Sequence, residues 1–300
     1  MSRRVLVTGA AGYVGRQTLA PLRARGFEVH AAGRSRPESG GEKVVWHECD
    51  LMRGDAVRQL MAALRPSHLL HLAWDTGHGS FWTTPANLDW AAATLVLARA
   101  FREAGGARLV SAGTCAEYDW SSEADLDEAG TALMPSTLYG VTKDAARRVI
   151  EAYAGTTELS WTWGRLFFSF GPHEKAGRLV PAILAPLLEG KPAKSTAGTQ
   201  LRDFMDVRDQ GAAFAALLDS AVEGPVNIAS GEGLAVRDLV TTLAELVGRP
   251  DLPEIGALPM RPGEPPRLVA ATRRLREEVG FQPAISLRQG LAEAVDWWRR

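Results

Sequence analysis

Thr8-Gly9-Ala10-Ala11-Gly12-Tyr13-Val14-Gly15 is the stretch from which the rest of the chain is read. It follows Arg4-Val5-Leu6-Val7-Thr8, a short apolar run of the kind that forms a buried parallel strand. It opens a segment with helical periodicity through Val14, Leu19 and Leu22, expected as a helix from about Gly12 to Arg25. A glycine pattern alone is a weak signal, and its place between strand and helix makes it informative. Gly9 permits the tight turn, Gly12 lets a pyrophosphate approach backbone amides, and Gly15 lets helix and sheet pack closely. The helix amino terminus then offers partial positive charge to phosphates.

The alternation continues outward. Strands are expected at 27–32, 44–46, 68–73, 108–111 and 160–166, with helices near 56–64, 85–104 and around Tyr139. Strand and helix in turn predict an α/β fold, a Rossmann-like doubly wound parallel sheet. Beyond Gly171-Pro172 the pattern loosens. Helices near 180–188 and 236–246 are expected, separated by loops and by Val226-Asn227-Ile228, and the proline-rich 250–266 reads as an extended connector. The tail from Ser286 reads as a helix with Ser286 and Gln289 spaced as a capping box, and Trp297-Trp298 as core packing. The expected division is a dinucleotide-binding domain over 1–170, to which 203–230 returns, and a smaller α/β substrate lobe from 171–202 and 231–300.

Bulk properties narrow the function. The 300 residues are 46% hydrophobic and 23% charged, ordinary for a soluble globular protein with a substantial core. A net charge of -1 makes no case for nucleic acid or an anionic membrane as partner. Cys49 and Cys115 lie far apart without metal-like spacing, so no metal site is expected. No apolar run approaches a membrane span, and a strand within a few residues of the amino terminus leaves no room for a signal peptide. The expected compartment is the cytoplasm.

The end of the second strand selects the dinucleotide. An acid there would bind the ribose 2'-hydroxyl of NAD, whereas this chain has Gly33-Arg34-Ser35-Arg36 with no acid until Glu38. Two guanidinium groups and a hydroxyl suit the 2'-phosphate, so NADP(H) is preferred and NAD(H) is the alternative. Asp50-Leu51, after the third strand, stands where a carboxylate could accept from the adenine amino group. Tyr139 and Lys143, four apart, share a helix face. By itself that pair is equally an aromatic-aliphatic surface contact.

Further ordered segments accompany these: Arg165-Leu166-Phe167-Phe168-Ser169-Phe170-Gly171-Pro172, Arg202-Asp203-Phe204-Met205-Asp206-Val207 and Arg261-Pro262-Gly263-Glu264. Together with the glycine turn and Tyr139-x-x-x-Lys143, the whole chain resembles the extended short-chain dehydrogenase/reductase family, particularly its nucleotide-sugar epimerases, dehydratases and 4-ketoreductases. The resemblance implies that Tyr139 is the general acid/base and that Lys143 holds the nicotinamide ribose and favours the phenolate. A charge about 5 Å away at an effective dielectric near 20 is worth roughly 3 kcal/mol, about two pKa units. The third catalytic group is Thr114, four before Tyr118, with Ser111 as the fallback. The resemblance also places Leu72, Ala73, Trp74 and Phe167 against the cofactor, with Ala11, Tyr13 and Val14 of the glycine turn. Thr76, Trp82, Thr114, Phe168, Arg178, Arg202 and Arg261 fall on the substrate.

Departures shape the expected reaction. The 4,6-dehydratases carry Asp-Glu after this Thr, where this chain has Cys115-Ala116. The 3,5-epimerase-reductases use a Cys two before the Tyr and a carboxy-terminal His, whereas Cys115 is three before Tyr118 and Arg178 stands in place of the His. Phe168 replaces a common Asn, and Trp90 another. The aromatic loop 74–82 can wall a pocket, and His78 reads as a solvated loop histidine. Simple hydride transfer remains: an NADP-dependent reductase of a nucleotide-activated 4-keto sugar or, alternatively, a 4-epimerase with tightly held NAD. Intact Thr114, Tyr139 and Lys143 argue against a non-catalytic binder. Members are commonly homodimers joined through helices near 85–104 and 138–154, and the same is expected here.

Overall fold

Seven strands, β1 (Arg4–Thr8), β2 (Glu28–Gly33), β3 (Val45–Glu48), β4 (His68–His71), β5 (Arg108–Thr114), β6 (Ser160–Leu166) and β10 (Gly224–Ile228), form one parallel sheet. Their order is β10-β6-β5-β4-β1-β2-β3. The computed structural model describes residues 3–35, 43–77 and 79–300. Strand order reverses between β1 and β4, so a crevice opens at the carboxyl end of β1, where the glycine turn lies.

Two apolar layers cover the sheet. Leu22 of α1 (Gly15–Ala24) and Phe214 and Leu217 of α6 (Val207–Asp219) pack on Val5, Val7, Val29 and Val110. On the opposite face α2 (Gly54–Leu64), α3 (Ala86–Glu103) and α4 (Leu138–Thr157) bring Met61, Leu97, Phe101 and Ile150 against Leu6, Leu69 and Leu109. Alternate residues of β1 serve opposite layers, as the period-2 pleat requires. Among the described residues, no helix is long and apolar enough to cross a membrane.

A third core belongs to the carboxy-terminal half. β7 (Phe168–Phe170), β9 (Leu201–Asp206), β11 (Gly233–Ala235) and β13 (Arg267–Leu268) make a small sheet centred on β9, and β8 (Ala193–Ser195) pairs with β12 (Pro253–Ile255). Leu184 of α5 (Leu179–Leu188), Leu239 and Leu243 of α7 (Val236–Val247) and Leu291 of α8 (Leu287–Trp298) close that core with Phe170 and Phe204. Asp203 is fully buried and ties it together, accepting from the Ser230 and Gly231 amides at 2.8 and 2.9 Å and from the Ala270 amide at 3.2 Å.

Four local expectations need correction. The first helix begins at Gly15, not near Gly12, because the Gly12 amide closes a turn onto the Gly9 carbonyl at 2.9 Å. The stretch 207–219, expected as loop, is α6; it follows β9 directly, with no intervening turn residue to mark its start, and is buried on nearly every side. The connector 250–266 contains β12. The capping box of α8 is half formed: the Ser286 hydroxyl accepts from the Gln289 amide, while the Gln289 side chain donates to Glu293. β5 also runs on to Thr114, carrying that residue to the sheet's carboxyl edge.

The pairing of α1 with α6 sets how the glycine turn is held. A Cβ on Gly211 would stand 2.5 Å from the Gln17 carbonyl carbon, closer than atoms tolerate. Gly211→Val should therefore pry α1 from α6 and cost roughly 1–3 kcal/mol. Thermal unfolding would show it as a lowered Tm with weakened dinucleotide binding; an unchanged Tm would contradict the close approach.

Candidate active site

The glycine turn has the shape its residues suggest. Gly9 has φ +72°, and a Cβ there would meet Leu72 C and Ala73 N at 2.7 Å, so the turn lies directly on the chain leaving β4. A Cβ on Gly15 would stand 2.1 Å from the Gly9 carbonyl oxygen. Val14, half-buried against the first core, begins α1 with no side-chain cap and no acid in the first turn. Those amino-terminal N–H groups are suited to an anion, and the turn fits a dinucleotide pyrophosphate. Ala11 is exposed and its carbonyl accepts from Arg16 Nη2 at 3.1 Å.

At the adenosine end, Arg34 and Ser35 are exposed beyond β2, while Arg36, and likewise His78 of the aromatic loop, lies outside the described residues. The Cys49 amide donates to the Gly33 carbonyl at 2.9 Å, which brings Asp50 alongside the end of β2. Asp50 is half-buried, its Oδ1 accepting from the Met52 amide at 3.1 Å, and Leu51 is in the core.

The catalytic candidates converge at the ends of β5 and α4. Thr137 caps α4, its hydroxyl accepting from the Gly140 amide at 3.1 Å, so Tyr139 and Lys143 fall in the first turns. Thr114, Tyr139 and Lys143 are all buried. Burial pushes the Tyr139 phenol above its ordinary pKa, and a side-chain hydrogen bond with Thr114 acts in the opposite direction. Lys143 Nζ donates to the Ala112 carbonyl at 2.9 Å and lies 3.8 Å from the centre of the Trp74 ring. It is 6.0 Å from the centre of the Tyr139 ring, and burial lowers its pKa to about 7. The expected drop of the phenol toward neutrality is thus corrected: desolvation penalises both charged forms, so Tyr139 stays a neutral phenol with its proton in place.

Behind Thr114 stands a carboxylate that sequence reasoning passed over. Glu117 is fully buried and accepts from the Thr114 amide at 2.9 Å, Trp163 Nε1 at 2.8 Å and Arg165 Nε at 2.8 Å. With both oxygens engaged, it is an anchor and not a free acid. The available signal was its position, three after a Thr that ends a strand, the spacing of a capping box. His71 is also buried, between the hydroxyls of Thr8 at 2.7 Å and Thr94 at 2.9 Å, and burial holds its pKa down at about 3. Burial pushes the Cys115 thiol up to about 12, which removes it as an acid/base partner.

Aromatic rings wall the phenol. Phe81 and Trp82 meet Tyr139 edge-on at 5.0 and 5.8 Å between ring centres, and Trp74 does so at 6.3 Å. Asn87, fully buried, fixes this wall by accepting from Trp74 Nε1 at 2.8 Å and donating to the Phe81 carbonyl at 2.8 Å. Thr76 is exposed on the same loop. The Phe167 side chain packs into the core with Tyr118 and Leu126, which leaves only its backbone for a ligand.

The arginines differ in freedom. Arg178, half-buried before α5, acts electrostatically on both Tyr139 and Tyr13. Arg202 is buried, ion-paired with Glu264, and 5.6 Å from the centre of the Phe168 ring. Phe168 therefore supports Arg202. Arg261 is exposed, with no ion pair among the described residues, and its carbonyl accepts from the Glu264 amide at 3.1 Å.

The chain is similar to known proteins over most of its length. The model of the NAD dependent epimerase/dehydratase family matches residues 5–229. The chain is similar to a UDP-glucose 4-epimerase of Corynebacterium glutamicum, 27% identical over 303 residues that cover 93% of this chain and 91% of the relative. A solved Thermus thermophilus UDP-glucose 4-epimerase in complex with NAD superposes with a TM-score of 0.87 at 28% identity, covering 99% of both chains. MoeE5 in complex with UDP-glucuronic acid and NAD gives 0.84 at 30% identity, again covering 99% of each.

Glu117 yields a prediction. Removing one partner of a buried ion pair strands the other charge and typically costs about 3–5 kcal/mol. Glu117→Ala should lower denaturant resistance by that order, whereas Glu117→Gln, which keeps acceptor and shape, should lose less stability but slow turnover by displacing Thr114. Urea unfolding beside steady-state kinetics would check both, and wild-type behaviour of Glu117→Ala would refute the assignment.

Proposed function

We propose that this chain, which belongs to the NAD dependent epimerase/dehydratase family, reduces the 4-keto group of a nucleotide-activated sugar with NADPH. The observation that carries the reading is the convergence of buried Thr114, Tyr139 and Lys143 at the ends of β5 and α4, with Cys115 and Ala116 where an elimination would need acids. Bound reduced dinucleotide supplies the hydride. The glycine turn and the start of α1 hold its phosphates, and Lys143 positions its ribose. As the carbonyl carbon is reduced, Tyr139 gives its phenolic proton to the developing alkoxide while Thr114 hydrogen-bonds the same oxygen. The aromatic wall excludes water from the exchange.

NADP(H) is supported by the exposed Arg34 and Ser35 and by the lack of an acid on β2 beyond Glu28. Arg178, Arg202 and Arg261 support a diphosphate on the substrate. A second reading, a 4-epimerase retaining NAD, draws on the two solved neighbours named above, both complexes with NAD and one a UDP-glucose 4-epimerase. For assembly, pairing of two copies through α3 and α4 would cover the exposed Leu88, Val141 and Val149.

With a nucleoside-diphosphate 4-keto-6-deoxyhexose, NADPH should be consumed stoichiometrically. Sugar epimers interconverting without net NADPH loss would replace the reductase with the epimerase. Tyr139→Phe should bind cofactor normally while turnover falls by orders of magnitude, and near-normal turnover would mean the acid is another residue.

Cofactor choice has its own test. Arg34→Asp should invert a preference for NADPH over NADH measured by calorimetry. Equal binding of both, unaffected by the substitution, would remove the case for NADP(H).

A further inference from the structure

Glu174, in the turn between β7 and α5, is a buried carboxyl that the hydride-transfer reading leaves unused. It is 5% exposed, and its Oε2 has no hydrogen-bond partner among the described residues. Its position follows from its neighbours. The Tyr13 hydroxyl, from the glycine turn, donates to the Gly171 carbonyl at 3.5 Å, and the Glu174 amide donates to the same carbonyl at 3.4 Å. Burial and then the Glu174 charge raise the Tyr13 phenol, and Asp206 raises it further, against the charges of Arg178 and Arg208. Arg178, four residues on, acts on Glu174, Tyr13 and Tyr139 alike. The carboxyl thus belongs to the turn that meets Tyr13 of the glycine turn, and Arg178, which acts on it, also acts on the Tyr139 phenol across the interval from that turn. The nicotinamide half of a dinucleotide has to span that interval.

We propose that Glu174 recognises the nicotinamide half of the bound dinucleotide and favours its oxidised, cationic ring over the neutral reduced ring. The inference rests on the family's dinucleotide site and on the place given to Tyr139 above. A carboxylate in a water-poor cleft attracts the ring's positive charge, and the reduced ring offers it none. In the reductive direction that charge develops as the hydride leaves, so Glu174 stabilises the state in which the cofactor has been spent.

The carboxyl's pKa gives the sign of the test. Burial raises it to about 8, with the Arg178 charge pulling the other way, so the free protein holds Glu174 largely protonated at neutral pH. A cationic ring selects the ionised form, and binding releases a proton. Affinity for the oxidised cofactor should therefore rise with pH below that value, by at most about tenfold per unit, and level off above it.

The experiment is calorimetry on the full chain without sugar, between about pH 6 and pH 9. It compares NAD+, NADH, NADP+, NADPH and ADP-ribose, which lacks the nicotinamide. Wild type should show the pH-dependent gain for the oxidised cofactors only. Glu174→Gln should reduce it to the part that Lys143 supplies by losing its charge in the same range, leaving ADP-ribose affinity unchanged, and Glu174→Asp, which keeps the charge, should restore it. Equal losses for NAD+ and ADP-ribose in Glu174→Gln would overturn the proposal in favour of a structural role. A flat wild-type profile, or no dinucleotide binding, would also overturn it. Inactivity on nucleotide sugars would count against the reductase reading alone, because no sugar enters this measurement.

Discussion

The interaction on which the site depends is the ion pair between Glu117 and Arg165, whose side chains are both fully buried. Such a pair is stable in an interior only when its remaining hydrogen-bonding capacity is met by fixed partners. Here the partners come from the parts that must be held in register: the Thr114 amide at the end of β5 and the Trp163 indole on β6. From Arg165 the chain of bonds passes to the Tyr118 hydroxyl at 3.0 Å and on to Asn227 of β10 at 2.8 Å. Asn227 in turn donates to the carbonyls of Leu126 and Ala271. A continuous polar path therefore links Thr114, three parallel strands and the chain segments at Leu126 and Ala271.

Enclosure explains the electrostatics. A lysine near a tyrosine in water would favour the phenolate, but here both groups are buried, and desolvation is the largest influence on each. The result is a phenol that keeps its proton and a lysine whose charge is easily lost. The same enclosure makes Trp74 useful twice, as a wall against Tyr139 and as a π-face beneath Lys143. Asn87 gives that tryptophan its orientation.

The arginines divide into preset and adaptable cations. Arg202 is locked by Glu264 and Phe168, so it offers a charge of fixed position with little ordering left to do. Arg261, exposed beyond the same Glu264, has its orientation still to acquire, and ordering it costs side-chain entropy. A bound diphosphate would meet both kinds, which suits a site that fixes phosphates while the sugar end is presented to Tyr139.

The sequence by itself determined the sheet and the glycine turn, while the family resemblance singled out Thr114, Tyr139 and Lys143. The local signals were short apolar strand runs, glycines placed by turn sterics, and a helix spacing of four between Tyr139 and Lys143. The sequence did not show α6, which follows β9 directly with no intervening turn residue to mark its start. Nor did it show the short strands β8, β11, β12 and β13, two or three residues each, whose pairing depends on partners far along the chain. Glu117, Asn87 and Glu174 were equally silent, because a carboxylate or amide gains its role from what surrounds it once buried. The tertiary structure alone decided the direction in which Tyr139 and Lys143 shift: spacing places two groups on one face, while the water removed from around them raises the phenol and lowers the ammonium.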